Sequence, residues 1–137
     1  MVDDILLNKS AIIERCLTRV REEYLGHEDE LPTNFTRQDS VVLNLQRACE
    51  AAIDLAMHEV RHRRLGLPQD SREAFRMLAE AKLLDDETAK RMCAMVGFRN
   101  IAVHQYRELS LDILGAIIRE RLDDFEAFTR ILLKADK

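Results

Sequence analysis

The strongest constraint on the fold is an apolar stripe that repeats every three or four residues through the middle of the chain. An α-helix brings residues at this spacing onto one face, whereas a half-buried β-strand needs strict alternation. The 137 residues include only 4 Gly and 2 Pro, which is little turn material for a many-stranded sheet. We therefore predict an all-α fold. The stripe consists of Val41, Leu45, Ala48, Cys49, Ala52, Ile53, Ala56 and Val60.

Four further segments show the same period, and no alternating stretch competes with them. We predict an antiparallel bundle of about five helices, forming a single domain over residues 1–137, a length that suits one hydrophobic core. The inward residues are Ile5, Ile12, Ile13, Cys16, Leu17, Val20 and Tyr24 in the first helix, Phe75, Leu78 and Ala79 in the third, Met92, Met95 and Val96 in the fourth, and Leu114, Ile118, Leu122, Phe125 and Leu132 in the last.

Capping residues predict where the helices begin. Gly followed by Pro at positions 66 and 68 is typical of a helix stop and ends the second helix. The predicted starts are Thr36 for the second helix, with Asp39 in a capping-box position, Asp70 or Ser71 for the third, the turn at residues 83–86 for the fourth, and Ser110 for the last.

The charge balance argues at first against nucleic acid as a partner. Twenty-one basic and 25 acidic residues give a net charge of −4, whereas nucleic-acid binders usually carry a basic face. The distribution is uneven, because residues 60–107 hold 10 basic and 6 acidic side chains. This local excess predicts modest, salt-sensitive binding of phosphates on one face.

The cysteines and the first residues indicate a reducing compartment. Cys16, Cys49 and Cys93 form no CxxC pair and stand among apolar residues, which predicts buried, reduced thiols. The acidic start MVDDILLNKS lacks the apolar core of a secretory signal. We expect a cytoplasmic protein.

An HExxH sequence lies near the end of the second predicted helix, where His58 and His62 flank Glu59. Histidines four residues apart on a helix can share a zinc ion, and the glutamate can act as a general base. The third ligand of the metzincin pattern is absent, and the predicted fold has no strand edge to align a peptide. We predict no metal site and expect a solvated helix end on which Asp54 pairs with His58. A zinc hydrolase stays as an alternative.

A second motif lies at the end of the fourth predicted helix, in the run Arg99-Asn-Ile-Ala-Val-His104-Gln-Tyr106. Gly97 costs about 1 kcal/mol against Ala inside a helix, which indicates close approach of a backbone or ligand. Tyr106 would share a side with Arg99 in a continuous helix, but a residue two positions after His104 would not face it. We expect the helix to distort or end near His104. A plain helix end with a hydrogen-bonded histidine and an exposed tyrosine is the alternative.

The run R-N-I-A-V-H-Q-Y resembles the R-x4-H-x-Y motif of the HepT branch of the HEPN superfamily. Residues 38–54 resemble the second helix of that branch, residues 65–72 its next turn, and residues 110–113 the start of its final helix. The acidic loop at residues 26–34 is the least family-like part. The resemblance thus spans nearly the whole chain.

The resemblance implies the toxin of a two-gene toxin–antitoxin system. Such a toxin is a metal-independent endoribonuclease with no cofactor of its own, and it acts on RNA as a homodimer whose two motifs face each other across a cleft. The implied catalytic residues are Arg99 and His104. The implied partner is a minimal nucleotidyltransferase of the MntA type, which uses ATP to adenylylate the motif tyrosine, here Tyr106.

The residue types suit this chemistry. Near neutral pH a histidine can act as base or acid, so His104 can handle either proton when a 2′-hydroxyl attacks the adjacent phosphate. Arg99 offers a permanently charged fork for the phosphoryl group. Asn100 and Asp39 are candidates for supporting roles, with purely structural roles as the alternative. A non-catalytic HEPN module that binds a nucleotide or scaffolds its nucleotidyltransferase is the competing function class.

Overall fold

The computed structural model describes residues 3–136, so residues 1, 2 and 137 of the predicted domain lie outside it. This range contains α-helices and short 3-10 helices but no β-strand, which confirms the all-α prediction. The α-helices are α1 (Asp4–Tyr24), α2 (Phe35–His62), α3 (Ser71–Glu80), α4 (Asp86–His104), α5 (Leu111–Glu120) and α6 (Leu122–Ala135). The 3-10 helices are Glu28–Glu30 and Tyr106–Glu108.

The central element is α2, which packs against α1, α3 and α4. Lys9 contacts Asp54 near one end of the α1–α2 pair and Glu23 contacts Arg37 near the other, so the two helices run antiparallel. Every residue of the predicted stripe on α2 is buried. Because α2 has neighbours on several sides, it also buries residues outside that stripe: Val42, Ala51, Leu55 and Glu59.

Three of the later helices begin where their caps were predicted. The side chains of Asp70, Asp85 and Ser110 each accept a backbone N–H in the first turn of α3, α4 and α5. Each cap satisfies one of the donors that a helix start leaves without an intrahelical partner. These caps fix the connections on either side of α4, which carries Arg99 and His104 of the R-x4-H-x-Y motif.

The predicted cap of α2 is wrong. Asn34, not Thr36, precedes the helix, and its side-chain oxygen accepts the Arg37 N–H at 3.1 Å. Asparagine is at least as good a cap as threonine and comes two residues earlier, so the helix starts there. The Asp39 carboxylate is therefore not needed for capping.

The last predicted helix is two helices. The backbone at Arg121 has φ −122° and ψ −3°, which interrupts the helix between α5 and α6. The apolar period continues across the break, since Ile118 and Leu122 are four residues apart and both are buried. Periodicity alone therefore predicted one helix where the chain has two.

The buried face of α1 begins with Leu6 and not with Ile5. Leu6 is fully buried, whereas Ile5 is 45% exposed, contrary to the prediction. Leu6 precedes the buried Ile13 by seven residues, which is close to two helical turns and places both on one face. The other predicted residues of α1 pack into the core, with Ile12 half-buried.

The buried apolar side chains of all six α-helices join one core cluster. Cys16 and Cys49 are buried free thiols, as predicted, and Cys93 is half-buried and also free. Burial raises the pKa of each of these thiols, which keeps them protonated. None of the helices within residues 3–136 has both the length and the apolar character required to span a membrane.

Two leucines on α2 provide a matched test of this packing. We expect Leu45→Ala, at a fully buried position, to lower the free energy of unfolding by about 2–5 kcal/mol through lost contacts and a cavity. Leu43→Ala, at a position 43% exposed on the same helix, should change it by less than about 1 kcal/mol. Urea denaturation of both variants measures the difference, and equal effects would contradict the assigned orientation of α2.

Candidate functional site

The candidate site is built around the abrupt end of α4. The helix stops at His104, and Gln105 leaves the helical conformation with φ −138° and ψ 43°. The chain then forms the 3-10 turn Tyr106–Glu108. This confirms the expectation that the helix ends near His104, and it takes Tyr106 off the helix that carries Arg99.

The turn places Tyr106 against the start of α2. Its hydroxyl donates a hydrogen bond of 2.6 Å to Oδ1 of Asp39, a residue 67 positions earlier in the chain. Partial burial of the hydroxyl and the neighbouring Asp39 carboxylate together raise the pKa of Tyr106 to about 12. The phenol is therefore protonated at neutral pH, and its proton points at a carboxylate. The supporting residue proposed from sequence, Asp39, thus contacts the motif directly.

Arg99 is anchored on the side of α4 that faces α3. Its Nη2 lies 3.4 Å from Oγ of Ser71, the first residue of α3. Its Nε is buried and has no hydrogen-bond partner within the described residues. The hydrogen bond to Ser71 leaves other N–H groups at Nη1 and Nη2 without a partner in residues 3–136, and these can bind an added anion such as a phosphate.

Gly97 is explained by a second arginine. A Cβ at this position would lie 3.2 Å from Nη2 of Arg72, so the glycine makes room for that side chain. Close approach was predicted correctly, but the approaching group is neither a backbone nor a ligand. Arg72 in turn donates to the Cys93 carbonyl oxygen at 3.4 Å. The start of α3 thereby adds a second positive charge close to the motif.

His104 and Asn100 lie on a different face of α4 from Arg99. They are four residues apart and thus share one side of the helix, on which His104 is exposed and Asn100 half-buried. Neither side chain makes a hydrogen bond to any residue between 3 and 136. The histidine is therefore free to contact a substrate or a second protein molecule.

The structure brings only some of the predicted site residues into direct contact. Tyr106 meets Asp39, while Arg99, Asn100 and His104 share α4 without direct hydrogen bonds among them in the described part of the chain. Sequence reasoning missed Ser71 as a partner of Arg99 and Arg72 as the neighbour of Gly97. The glycine was the one available signal for Arg72, and the sequence singled out Ser71 only as a possible helix cap.

The basic excess of residues 60–107 is partly neutralised by ion pairs. Arg63 pairs with Glu59 at 2.8 Å, and Arg91 pairs with Glu87 at 3.0 Å and Asp124 at 3.2 Å. The arginines of this stretch that form no ion pair within residues 3–136 are Arg61, Arg64, Arg72, Arg76, Arg99 and Arg107. Several of the uncompensated charges thus belong to the elements that carry the motif.

The HExxH sequence at the end of α2 lies far from this site. Nineteen residues separate His58 from Asp39, which is about 28 Å along a helix. The predicted pairing of Asp54 with His58 is wrong. Asp54 instead accepts from Lys9 at 3.2 Å, and His58 Nε2 lies 2.7 Å from Oδ2 of Asp3.

The glutamate of this sequence is placed where it cannot act as a base toward a bound metal. Glu59 is fully buried and its carboxylate pairs with Arg63. The side chains that do cluster are Asp3, His58 and His62, whose potential ligand atoms all lie within 4.8 Å of one another. This geometry does not support a zinc hydrolase, but the three residues form a set that can hold a metal ion.

Comparison with known proteins agrees with the resemblance to the HepT branch that the sequence motif indicates. The family described as "Ribonuclease HepT-like" matches residues 13–132. The mRNA nuclease HepT of Shewanella oneidensis is 46% identical over 131 residues, which cover 96% of this chain and 98% of that protein. The tRNA nuclease HepT of Aphanizomenon flos-aquae is 27% identical over 92% of this chain and 86% of that protein.

A solved structure shows the same fold in a complex. The tri-AMPylated HEPN toxin of Shewanella oneidensis, bound to its MNT antitoxin, superposes with a TM-score of 0.91 at 47% identity, over 97% of this chain and 98% of that one. The match extends over all the helices that position the motif. The chain therefore belongs to the HepT-like ribonuclease family.

Proposed function

We propose that this chain is the toxin endoribonuclease of a HepT/MntA-type toxin–antitoxin system. The observation that carries the proposal is the end of α4. There the His104 side chain makes no hydrogen bond within residues 3–136, and the Tyr106 hydroxyl is directed toward Asp39. A relative with 47% identity is an AMPylated toxin in complex with an MNT antitoxin. A cytoplasmic single-domain protein without a cofactor of its own fits this role.

RNA cleavage proceeds by attack of a 2′-hydroxyl on the adjacent phosphorus. The new 2′-oxygen–phosphorus bond forms as the bond to the 5′-oxygen breaks, so the products are a 2′,3′-cyclic phosphate and a 5′-hydroxyl. His104 of one protomer takes the proton from the attacking hydroxyl, and an acid must protonate the leaving oxygen. Arg99 stabilises the charge on the phosphoryl oxygens. These steps require no metal ion.

A homodimer would supply the second proton-transfer group. One exposed histidine cannot act as base and acid in the same step, whereas the His104 side chains of two protomers facing each other can. Ile101 and Val103, which lie between Arg99 and His104 on α4, are 38% and 44% exposed. Apolar side chains beside an exposed catalytic histidine favour contact with a second copy at this end of the bundle.

The substrate is RNA that reaches the end of α4 as a flexible strand. In-line attack requires the sugar and its phosphate to rotate until the 2′-oxygen, the phosphorus and the leaving 5′-oxygen lie in one line. A regular duplex restricts this rotation. The 46% identical relative is an mRNA nuclease and the 27% identical one a tRNA nuclease. Messenger RNA is therefore the first substrate to test.

Neutralisation consists of adenylyl transfer to Tyr106 by the partner nucleotidyltransferase. The Tyr106 oxygen attacks the α-phosphorus of ATP, pyrophosphate leaves, and the phenolic proton passes to Asp39, whose Oδ1 already accepts it at 2.6 Å. A phenol with a pKa of about 12 is a poor nucleophile unless a base takes its proton during the reaction. Asp39 is the group in place to do so.

The first test of this proposal removes the two catalytic side chains. We expect Arg99→Ala and His104→Ala each to lower RNA cleavage by at least about 100-fold and to abolish growth inhibition, because each removes a group that acts in the transition state. Cleavage of a single-stranded RNA with EDTA present measures the effect. Arg107→Ala, an exposed arginine just beyond the motif, is the control and should stay within a few-fold of wild type. Wild-type rates in both motif variants would favour the non-catalytic scaffold.

A second test identifies the modified residue. Tyr106→Phe should accept no AMP when incubated with the cognate nucleotidyltransferase and ATP, because it lacks the attacking oxygen. Intact-mass spectrometry counts the AMP units. Tyr24→Phe is the matched control: Tyr24 is buried and its hydroxyl accepts from Arg119 at 2.8 Å, so this variant should be modified like wild type. Modification of the Tyr106→Phe variant would show that another residue is the acceptor.

A third test addresses Asp39. Asp39→Asn should slow adenylylation by about 10- to 100-fold, since the amide keeps a hydrogen-bond acceptor but is a far weaker base. It should also lower the pKa of Tyr106 below about 12, because removing a negative charge favours the phenolate. Ultraviolet titration of the phenolate in a Tyr24→Phe background, with circular dichroism as a check on folding, measures the pKa. An unchanged pKa together with an unchanged transfer rate would exclude the role of Asp39.

A further inference from the structure

Three side chains with metal-binding atoms meet at the end of the bundle opposite the R-x4-H-x-Y motif. They are Asp3, before α1, and His58 and His62 in the last turns of α2. Nε2 of His58 lies 2.7 Å from Oδ2 of Asp3, and Nε2 of His62 lies 3.9 Å from the same oxygen. The side chains of Asp3 and His58 are 14% and 13% exposed, and that of His62 is 54% exposed, so the cluster opens to solvent on one side.

The local structure brings these atoms close together before any ion binds. Asp3 is the N-cap of α1: its Oδ1 accepts the N–H groups of Ile5 and Leu6, which leaves Oδ2 directed at the histidines. The two imidazole rings are stacked, with centroids 5.5 Å apart and planes within 17° of parallel, and Nε2 of each approaches the same Asp3 oxygen. Two imidazoles and one carboxylate are a ligand set that zinc and similar cations favour.

We propose that Asp3, His58 and His62 bind a divalent transition-metal ion of the zinc class, with a fourth position open to water. Zinc ligands lie about 2.0–2.2 Å from the ion, so tetrahedral ligand atoms are about 3.3 Å apart. The present separations of 2.7 and 3.9 Å lie on either side of that value. Rotation of the exposed His62 side chain and a slight opening of the Asp3–His58 contact complete the geometry.

The charges around the cluster permit a cation. Arg63, which follows the second histidine, is turned toward the buried Glu59, with Nε–Oε2 at 2.8 Å, and lies 3.8 Å from Asp136. Its charge is thereby compensated. Arg61 and Arg64 are exposed, where water and salt screen their charges. Repulsion from neighbouring arginines therefore weakens binding without preventing it.

The ion would act as a structural clamp and not in catalysis. It would join the start of α1 to the end of α2, and the backbone N–H of Asp3 already donates to Asp136 after α6 at 2.8 Å. One ion thus reinforces a point where three helix ends meet. The ordinary general base of an HExxH zinc enzyme is not available, because Glu59 is buried and paired.

The test is titration of the full-length protein with Zn²⁺, followed by calorimetry and thermal unfolding. We expect binding of one ion per chain and a higher Tm with Zn²⁺ than with EDTA. His62→Ala should weaken Zn²⁺ binding at least tenfold and remove the Tm shift, and its apo form should fold like wild type because the side chain is more than half exposed. His27→Ala is the matched control: its Nδ1 also lies 2.8 Å from a carboxylate, that of Glu30, but it has no histidine one turn away, so it should bind Zn²⁺ like wild type.

Several outcomes would overturn the proposal. These are no stoichiometric binding, equal affinity in the wild type and the His62→Ala variant, or loss of the Tm shift in a His104→Ala variant, which would place the ion at the R-x4-H-x-Y motif. The RNA cleavage rate below the unfolding transition should be the same with Zn²⁺ and with EDTA, because the cluster is about 28 Å from Asp39. A failure of the metal site is thereby distinguished from a failure of the ribonuclease proposal.

Discussion

The burial of α2 among α1, α3 and α4 is the constraint on which the candidate site depends. Twelve residues of α2 are buried, and each large apolar side chain among them contributes about 1.5–3 kcal/mol to the folded state. The hydrogen bond between Tyr106 and Asp39 contributes about 1.5–3 kcal/mol at most. Core packing therefore determines where Asp39 and the start of α3 lie, and the polar contacts of Tyr106 and Arg99 depend on that framework.

The same arrangement explains how a modification of Tyr106 would silence the site. Residues 106–108 are exposed, and the bond to Asp39 is the hydrogen bond that the tyrosine hydroxyl makes within residues 3–136. An AMP ester replaces the hydroxyl proton, which removes the donor, and its phosphodiester charge repels the Asp39 carboxylate. On the proposed function, modification would thereby both detach the tyrosine and place an anion where RNA would bind.

Periodicity and capping rules predicted most of the fold because both depend on interactions between residues that are close in the sequence. The stripe on α2 and the caps Asp70 and Ser110 depend on neighbours within one or two turns of the chain. The break between α5 and α6 at Arg121 was not predicted because the apolar period continues through it. Contacts between residues distant in sequence were beyond the same rules: the Asp3–His58 pair spans 55 positions and the Tyr106–Asp39 bond 67. Recognition of the motif named the residues, but only the fold shows which of them meet.

The distribution of charge, and not its sum, decides whether an acidic chain can act on RNA. Arg63 and Arg91 add little to the basic excess of residues 60–107, because each pairs with a buried carboxylate, that of Glu59 and that of Asp124. The arginines left uncompensated include Arg72 and Arg99, which lie where α3 packs on α4. A guanidinium held near a low-dielectric core exerts a stronger field than one surrounded by water. A few such charges at the end of α4 therefore outweigh, for a phosphate nearby, the acidic residues dispersed over the rest of the surface.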